Sequence, residues 1–247
     1  MNYYNEHDPK AAEWLRELIK AGHISNGEVD ERSIEDVLPN DLRPFRQCHF
    51  FAGIGVWSLA LRRAGISDDE RIWTGSCPCQ PFSQAGEGKG TADERHLWPA
   101  LHWLIKQCQP ELVLGEQVAS ALDWWDLVAS DLEDCGYAAG ASITTAGGFG
   151  GYHIRKRLYW VANANEHQQR QRRGHGAQTC QGAESERRPG DNGENIDWLD
   201  FTDGKRRPIE PGIMPMVDAY PGRVGLLRGY GNALDARQAE AFVRAAV

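Results

Sequence analysis

Cys48-His49-Phe50-Phe51 is a short apolar run that ends in Ala52-Gly53-Ile54-Gly55. A helical pattern follows over residues 56–64, with Gly65 as its stop. A buried strand, a glycine turn and a helix in this order place the chain in the α/β class. The helix N-terminus then faces the carboxyl end of the strand, a common arrangement for a cofactor loop. Structural turns use Gly-x-Gly as well, so the rest of the chain has to decide what this one holds.

Upstream, residues 8–22 predict a helix. Asp8 is a natural N-cap, Pro9 suits the first turn and Gly22 suits the stop. Ala11, Leu15, Leu18 and Ile19 give it one apolar face. A second short helix is expected over residues 33–38, ended by Pro39. Together they predict a helical extension, residues 1–46, packed against the core. Downstream, Ile72-Trp73-Thr74 is β-like. Residues 95–108 read as a helix with Pro99 in its first turn, and Leu112-Val113-Leu114 as a buried strand ending at Glu116. Residues 124–135 read as a helix, 142–145 and 158–161 as strands, and 233–246 as a closing helix. Residues 163–195 are almost free of apolar side chains and read as a loop or disordered insert.

Chemistry concentrates in Ser76-Cys77-Pro78-Cys79-Gln80-Pro81-Phe82-Ser83. The two prolines stiffen the backbone around Cys79. At a strand end, that turn would present one thiol in a fixed direction. Gln84 and the glycine-rich residues 85–90 follow, as a loop able to close over a substrate. A purely structural cysteine is the alternative reading of this turn.

The six cysteines show no Cys-x-x-Cys pair, which points to reduced thiols in a cytoplasm and to neither a zinc site nor a disulfide framework. No run approaches a membrane span, and no signal-peptide pattern opens the chain. A net charge of −8 does not advertise nucleic-acid binding. Residues 151–188, however, carry eight Lys/Arg against three Asp/Glu, and Arg170, Arg172 and Arg173 within them suit phosphate contact.

Five segments in order resemble motifs of the cytosine-C5 DNA methyltransferases. They are Phe51-Ala52-Gly53-Ile54-Gly55, Pro78-Cys79-Gln80-Pro81-Phe82-Ser83, Gly115-Glu116-Gln117-Val118, His153-Ile154-Arg155-Lys156-Arg157 and Gly229-Tyr230-Gly231-Asn232-Ala233. The resemblance covers roughly residues 47–165 and 213–247, and is nearest to small, phage-type members. It implies a Rossmann-like catalytic core over 47–165, a short variable or target-recognition insert over 166–212, and a C-terminal segment, 213–247, returning to the core. It also implies roles. Cys79 would add to C6 of a cytosine flipped out of DNA, in a bacterial or phage-infected cell, and Glu116 would act as the acid at ring N3. Arg155 and Arg157 would orient base and phosphate, with Pro78, Gln80, Ser83, Gln84, Gln117 and His153 around the substrate. Phe51, Gly53, Gly55 and Asn232 would hold the donor, with no metal.

Residues 56–78 alone separate the glycine turn from Cys79, and a βαβ unit takes about 30 residues. The family places further strands there, with an acidic residue that holds the ribose of S-adenosylmethionine. This interval offers only Asp68, Asp69 and Glu70, in a loop. The expectation is therefore a reduced core with the adenosyl pocket cut away. The donor is then either S-adenosylmethionine, giving a methyl group, or 5,10-methylenetetrahydrofolate, giving hydroxymethyl or methyl. Trp57 could stack on a flat donor, or belong to the core. A donor-less DNA-binding or regulatory remnant, or a partner chain that completes the pocket, are the alternatives.

Overall fold

The computed structural model of the protein describes residues 1–78, 97–150, 155–164, 197–200, 206–209 and 234–247. The chain opens with a strand, β1 (Asn2–Asn5), all of it buried. Helix α1 (Pro9–Lys20) follows, capped as expected: Asp8 Oδ1 accepts from the backbone N–H of Lys10 at 2.9 Å and of Ala11 at 3.0 Å. Strand β2 (Gly27–Asp30) pairs in parallel with β1. Pro39 does not end a helix. Residues Ile34–Asp36 make one 3₁₀ turn, and Pro39 opens the short helix α2 (Pro39–Leu42). A proline fits the first helical position, where its missing N–H would have had no partner.

The core elements then come in the anticipated order. They are β3 (Cys48–Phe50), α3 (Val56–Arg63), β4 (Ile72–Gly75), α4 (Trp98–Cys108), β5 (Leu112–Val118), α5 (Leu122–Asp134), β6 (Ala138–Thr145) and β7 (Lys156–Asn163). Strands β8 (Asp197–Asp200) and β9 (Arg206–Ile209) pair antiparallel as a separate ribbon. Helix α6 (Ala236–Ala246) closes the chain.

The main sheet has seven strands in the order β2-β1-β3-β4-β5-β7-β6. Strands β2 to β5 run parallel; β7 is antiparallel to both β5 and β6. The α/β class stands, but residues 1–46 are not a helical extension. They supply two strands, and β1 lies between β2 and β3 (Tyr3 opposite Cys48, Asn5 opposite Phe50). The physical cause is the wholly buried run at Asn2–Asn5, with the strand-favouring Tyr3 and Tyr4 at its centre, whose backbone groups are satisfied by β3 on one side and β2 on the other.

One face of the sheet is covered by α4 and α5, around Trp98, Leu101, Trp124, Val128 and Trp160. Gly115 lies in this layer, where a Cβ would run into the Trp160 ring. The other face is covered by α1, α3 and α6. Leu15 packs with Tyr4 and Ile24, and Trp57 and Leu61 pack with Tyr159, Ala239 and Val243. Buried polar side chains tie the N-terminal segment to this layer. Tyr4 Oη lies 2.6 Å from Ser25 Oγ and 3.0 Å from Ser58 Oγ, and Asn2 Nδ2 donates to Gln47 Oε1 at 3.1 Å.

His49 sits in the middle of this network, stacked on Tyr4 at 4.9 Å and 2.8 Å from Thr74 Oγ1 through Nδ1. Burial pushes its pKa down from the ordinary 6.5 to about 3. The unfolded chain therefore takes up a proton below about pH 6.5 that the folded chain refuses. Stability is fully present above that pH and falls by about 1.4 kcal/mol per pH unit on the way down. Replacing the ring, as in His49→Gln, is expected to flatten this part of the dependence. Urea unfolding at pH 7, 5 and 4 measures it, and equal slopes in the two proteins would assign the acid sensitivity to other groups.

Candidate active site

In a parallel sheet, ligands gather at the carboxyl ends of the strands. Here β3 ends in the glycine turn, β4 runs into Ser76-Cys77-Pro78, and β5 carries Glu116. Strand β5 is longer than the sequence suggests, so Glu116 lies within it, paired across to Tyr159 of β7. Antiparallel pairing also brings Arg157 opposite Val118, at the same end of the sheet.

The two charged groups meet. Arg157 Nε lies 2.6 Å from Glu116 Oε1, and both side chains are largely buried. Burial pushes the Glu116 carboxyl up from its ordinary range, while Arg157 and Arg155 pull it back. Burial also lowers Arg155, with Arg157 as a like charge nearby and Glu116 acting in the opposite sense. This is a carboxyl whose protonated form burial favours, beside two guanidinium groups suited to forked hydrogen bonds.

Gln117 points to the other face. Its Nε2 donates to the Cys77 carbonyl at 3.4 Å, and its Oε1 accepts from the Val118 N–H at 2.9 Å. It therefore anchors the base of the cysteine turn from within the core, a different place from the expected substrate contact. Cys77 is buried and its thiol is pushed up, which leaves it inert. Pro78 is exposed. Cys79, Gln80, Ser83, Gln84, His153, Arg170, Arg172, Arg173 and Asn232 lie outside the described residues.

On the donor side, Phe51, Gly53 and Gly55 all adopt positive φ, at 53°, 55° and 75°, and Gly55 caps α3. Trp57 is not placed to stack on a donor. It is buried, edge-on to Tyr159 at 5.9 Å, and its indole N–H donates to Ser76 Oγ at 3.0 Å. It is a core residue that also links α3 to the start of the cysteine turn.

The missing strands are present, in a different place in the chain. Residues 56–78 supply one helix and one strand, as their length requires. The sheet positions beyond β3 are filled by β1 and β2, which precede the glycine turn in sequence. An acidic residue stands at the expected strand end as well. Glu6 follows β1, and its carboxylate accepts from the Gly53 N–H at 2.7 Å and from the Asp8 N–H at 2.9 Å. Asp68 is engaged elsewhere, in a two-pronged pair with Arg62 at 2.7 and 2.9 Å. The sequence reading missed Glu6 because it looked for the acid after the glycine turn. The signal was there: a β-like run, a carboxylate and a capped helix in succession.

A profile described as C-5 cytosine-specific DNA methylase matches residues 66–195, more than half of the chain. The chain belongs to the C-5 cytosine-specific DNA methylase family. Among curated members, the type II methyltransferase M.NgoMIV of Neisseria gonorrhoeae is 32% identical over 101 residues, covering 39% of this chain and 32% of that protein. M.AplI of Arthrospira platensis is 33% identical over 92 residues, covering 36% of this chain and 27% of that protein. The matched stretches thus span about a third of the length of these methyltransferases. Among solved structures, the S. pombe Dnmt2 methyltransferase aligns at 16% identity with a TM-score of 0.41, over 67% of this chain and 51% of that one. No group of three or more His, Cys, Asp or Glu among the described residues could hold a metal ion. No described helix is long and apolar enough to cross a membrane.

Proposed function

We propose that the protein transfers a methyl group from S-adenosylmethionine to C5 of cytosine in DNA, with Cys79 as the nucleophile. The observation that carries this reading is the buried Glu116–Arg157 pair beside the root of the cysteine turn, in a member of this family. Cytosine C5 is a poor nucleophile. Thiolate addition at C6 makes the ring an enamine and pushes electron density to C5, provided that an acid at N3 takes up the charge. Glu116, raised by burial, supplies that proton. Arg155 and Arg157 orient the base and its phosphate; once C5 carries the methyl group, its proton leaves and the C6–S bond breaks, releasing 5-methylcytosine and the Cys79 thiolate. A base inside a duplex cannot reach such a site, so the target cytosine leaves the stack.

The presence of β1 and β2 beside β3 favours S-adenosylmethionine over a folate donor. With β1 and β2 in place, Glu6 offers a carboxylate to donor hydroxyl groups. The glycine turn, opened by positive φ at Phe51, Gly53 and Gly55, offers room for the methionine end, which Asn232 would join. S-adenosylmethionine, when bound, supplies the electrophilic methyl group. The basic insert with Arg170, Arg172 and Arg173 suits the DNA backbone.

Nucleoside mass spectrometry of DNA incubated with the protein and either S-adenosylmethionine or methylenetetrahydrofolate tests the reading. The expected product is 5-methylcytosine with S-adenosylmethionine alone. Covalent trapping on 5-fluorocytosine DNA is expected with the wild type and lost in Cys79→Ala. Glu6→Ala is expected to raise KM for the donor by about tenfold or more while leaving DNA affinity unchanged, since it removes charge-assisted hydrogen bonds. Transfer from the folate, or trapping that survives in Cys79→Ala, would overturn the proposal.

A further inference from the structure

Tyr159 is fully buried, yet its hydroxyl makes no hydrogen bond among the described residues. Buried polar groups without a partner are rare and call for a reason. Its position suggests one. Tyr159 is directly opposite Glu116 in the β5–β7 pair, so the two side chains share a face of the sheet. The ring is held from two sides, by Trp57 edge-on at 5.9 Å and by Phe242 at 5.1 Å. Trp57 is itself fixed through Ser76. The hydroxyl is therefore presented from a rigid mount.

In the free protein, Glu116 is held by Arg157. When Arg157 turns to a bound base, the carboxyl loses the group that orients it. We infer that Tyr159 is a positioning residue for Glu116, its hydroxyl donating to that carboxyl once Arg157 has left it. The other charged groups around this pair are Arg155 and Arg157 on the β7 side and Asp235 at the cap of α6. None of them is a neutral donor. A phenol can steady one carboxyl oxygen while the other gives its proton to the ring, and as a neutral donor it favours the ionised form less than a cation does. The inference rests on Glu116 being the acid of the proposed reaction.

Two measurements test it. In the otherwise unaltered protein, Tyr159→Phe removes only the oxygen. The expected result is a kcat for methyl transfer lowered about tenfold with KM for DNA unchanged, the pattern of an interaction made in the transition state. Tm is expected to be unchanged or higher, because an unpartnered buried hydroxyl has been removed. Unchanged kcat, a loss confined to KM for the donor, or a lower Tm would each overturn the inference. The second measurement needs no turnover. Arg157→Gln imitates the state in which the arginine has turned away, and the Glu116 carboxyl is titrated by carbon-13 NMR with and without Tyr159→Phe. The phenylalanine is expected to raise the midpoint by about one unit, since a donor to the carboxylate is lost. An unchanged midpoint overturns the inference. If the wild type leaves cytosine unmodified, the proposed function fails, and this titration alone decides the role of Tyr159.

Discussion

A chain starting at Gln47 will not fold. Strand β1 lies between β2 and β3, so removing residues 1–46 leaves β3 as a bare edge in the middle of a hydrophobic layer. It also uncovers both faces. Leu15 and Ile24 pack on one side, and Ile34, Val37 and Leu42 on the other, all of them buried. At roughly 2 kcal/mol for each of these five side chains, the lost burial is about 10 kcal/mol. That equals the whole stability of an ordinary domain, about 5–15 kcal/mol. The buried contacts of Asn2 with Gln47 and of Tyr4 with Ser58 are lost as well, and stranded polar groups add to the cost. The expected result is an insoluble or unfolded fragment with no cooperative urea transition. Soluble refolding is expected to return when residues 1–46 are supplied as a separate chain. A fragment 47–247 that unfolds in one sharp transition would mean that the N-terminal segment is an appendage after all.

The same segment explains where the sequence was legible. From β3 to β7, local patterns sufficed. The glycine turn, the helix stop at Gly65, the proline-bearing start of α4 and the apolar strand at Leu112 each act within a few residues, and the elements lie where those signals put them. Partnership between distant segments was not legible. Strand β1 has four residues, and its pairing with β3 depends on contacts some 45 positions away, as between Tyr3 and Cys48. A count of residues between Gly55 and Cys79 correctly found room for one helix and one strand. The step from there to a missing pocket assumed that sheet order follows chain order, and hydrogen bonding does not require that. The profile match begins at residue 66, after β1, β2 and β3, so it too is silent on these strands. Glu116 shows the converse. Its residue type and its place near a strand end were readable, but its pairing with Arg157 comes from the register of β5 on β7, which only the folded sheet reveals.

Glu116→Gln is expected to lower kcat for methyl transfer by roughly 10²–10⁴-fold, the range for a positioned general acid. The amide has nearly the shape of the carboxyl and still accepts from Arg157, but it has no proton to give to N3. Affinity for DNA should change little. The pH dependence carries the sharper test. Burial raises the Glu116 midpoint above its ordinary value of 4.5. The acid is protonated below that raised midpoint, so its contribution to the rate is full there and is lost as pH rises through it. In the proposed reaction Cys79 would work in the opposite direction, because the thiolate fraction grows with pH. The wild type should therefore show a bell whose alkaline limb belongs to Glu116, and the residual rate of Glu116→Gln should keep only the rising limb. Stability follows from the same shift. A carboxyl whose folded midpoint is raised stabilises the fold most at low pH and loses that contribution as pH climbs through the folded midpoint. Relative to the wild type, Glu116→Gln is then expected to gain stability as the pH climbs from about 4.5 through that raised midpoint. Single-turnover rates and urea midpoints across that range measure both effects. A Gln variant that keeps the alkaline limb would move the acid to another group, and one that keeps the full rate would remove Glu116 from the chemistry altogether.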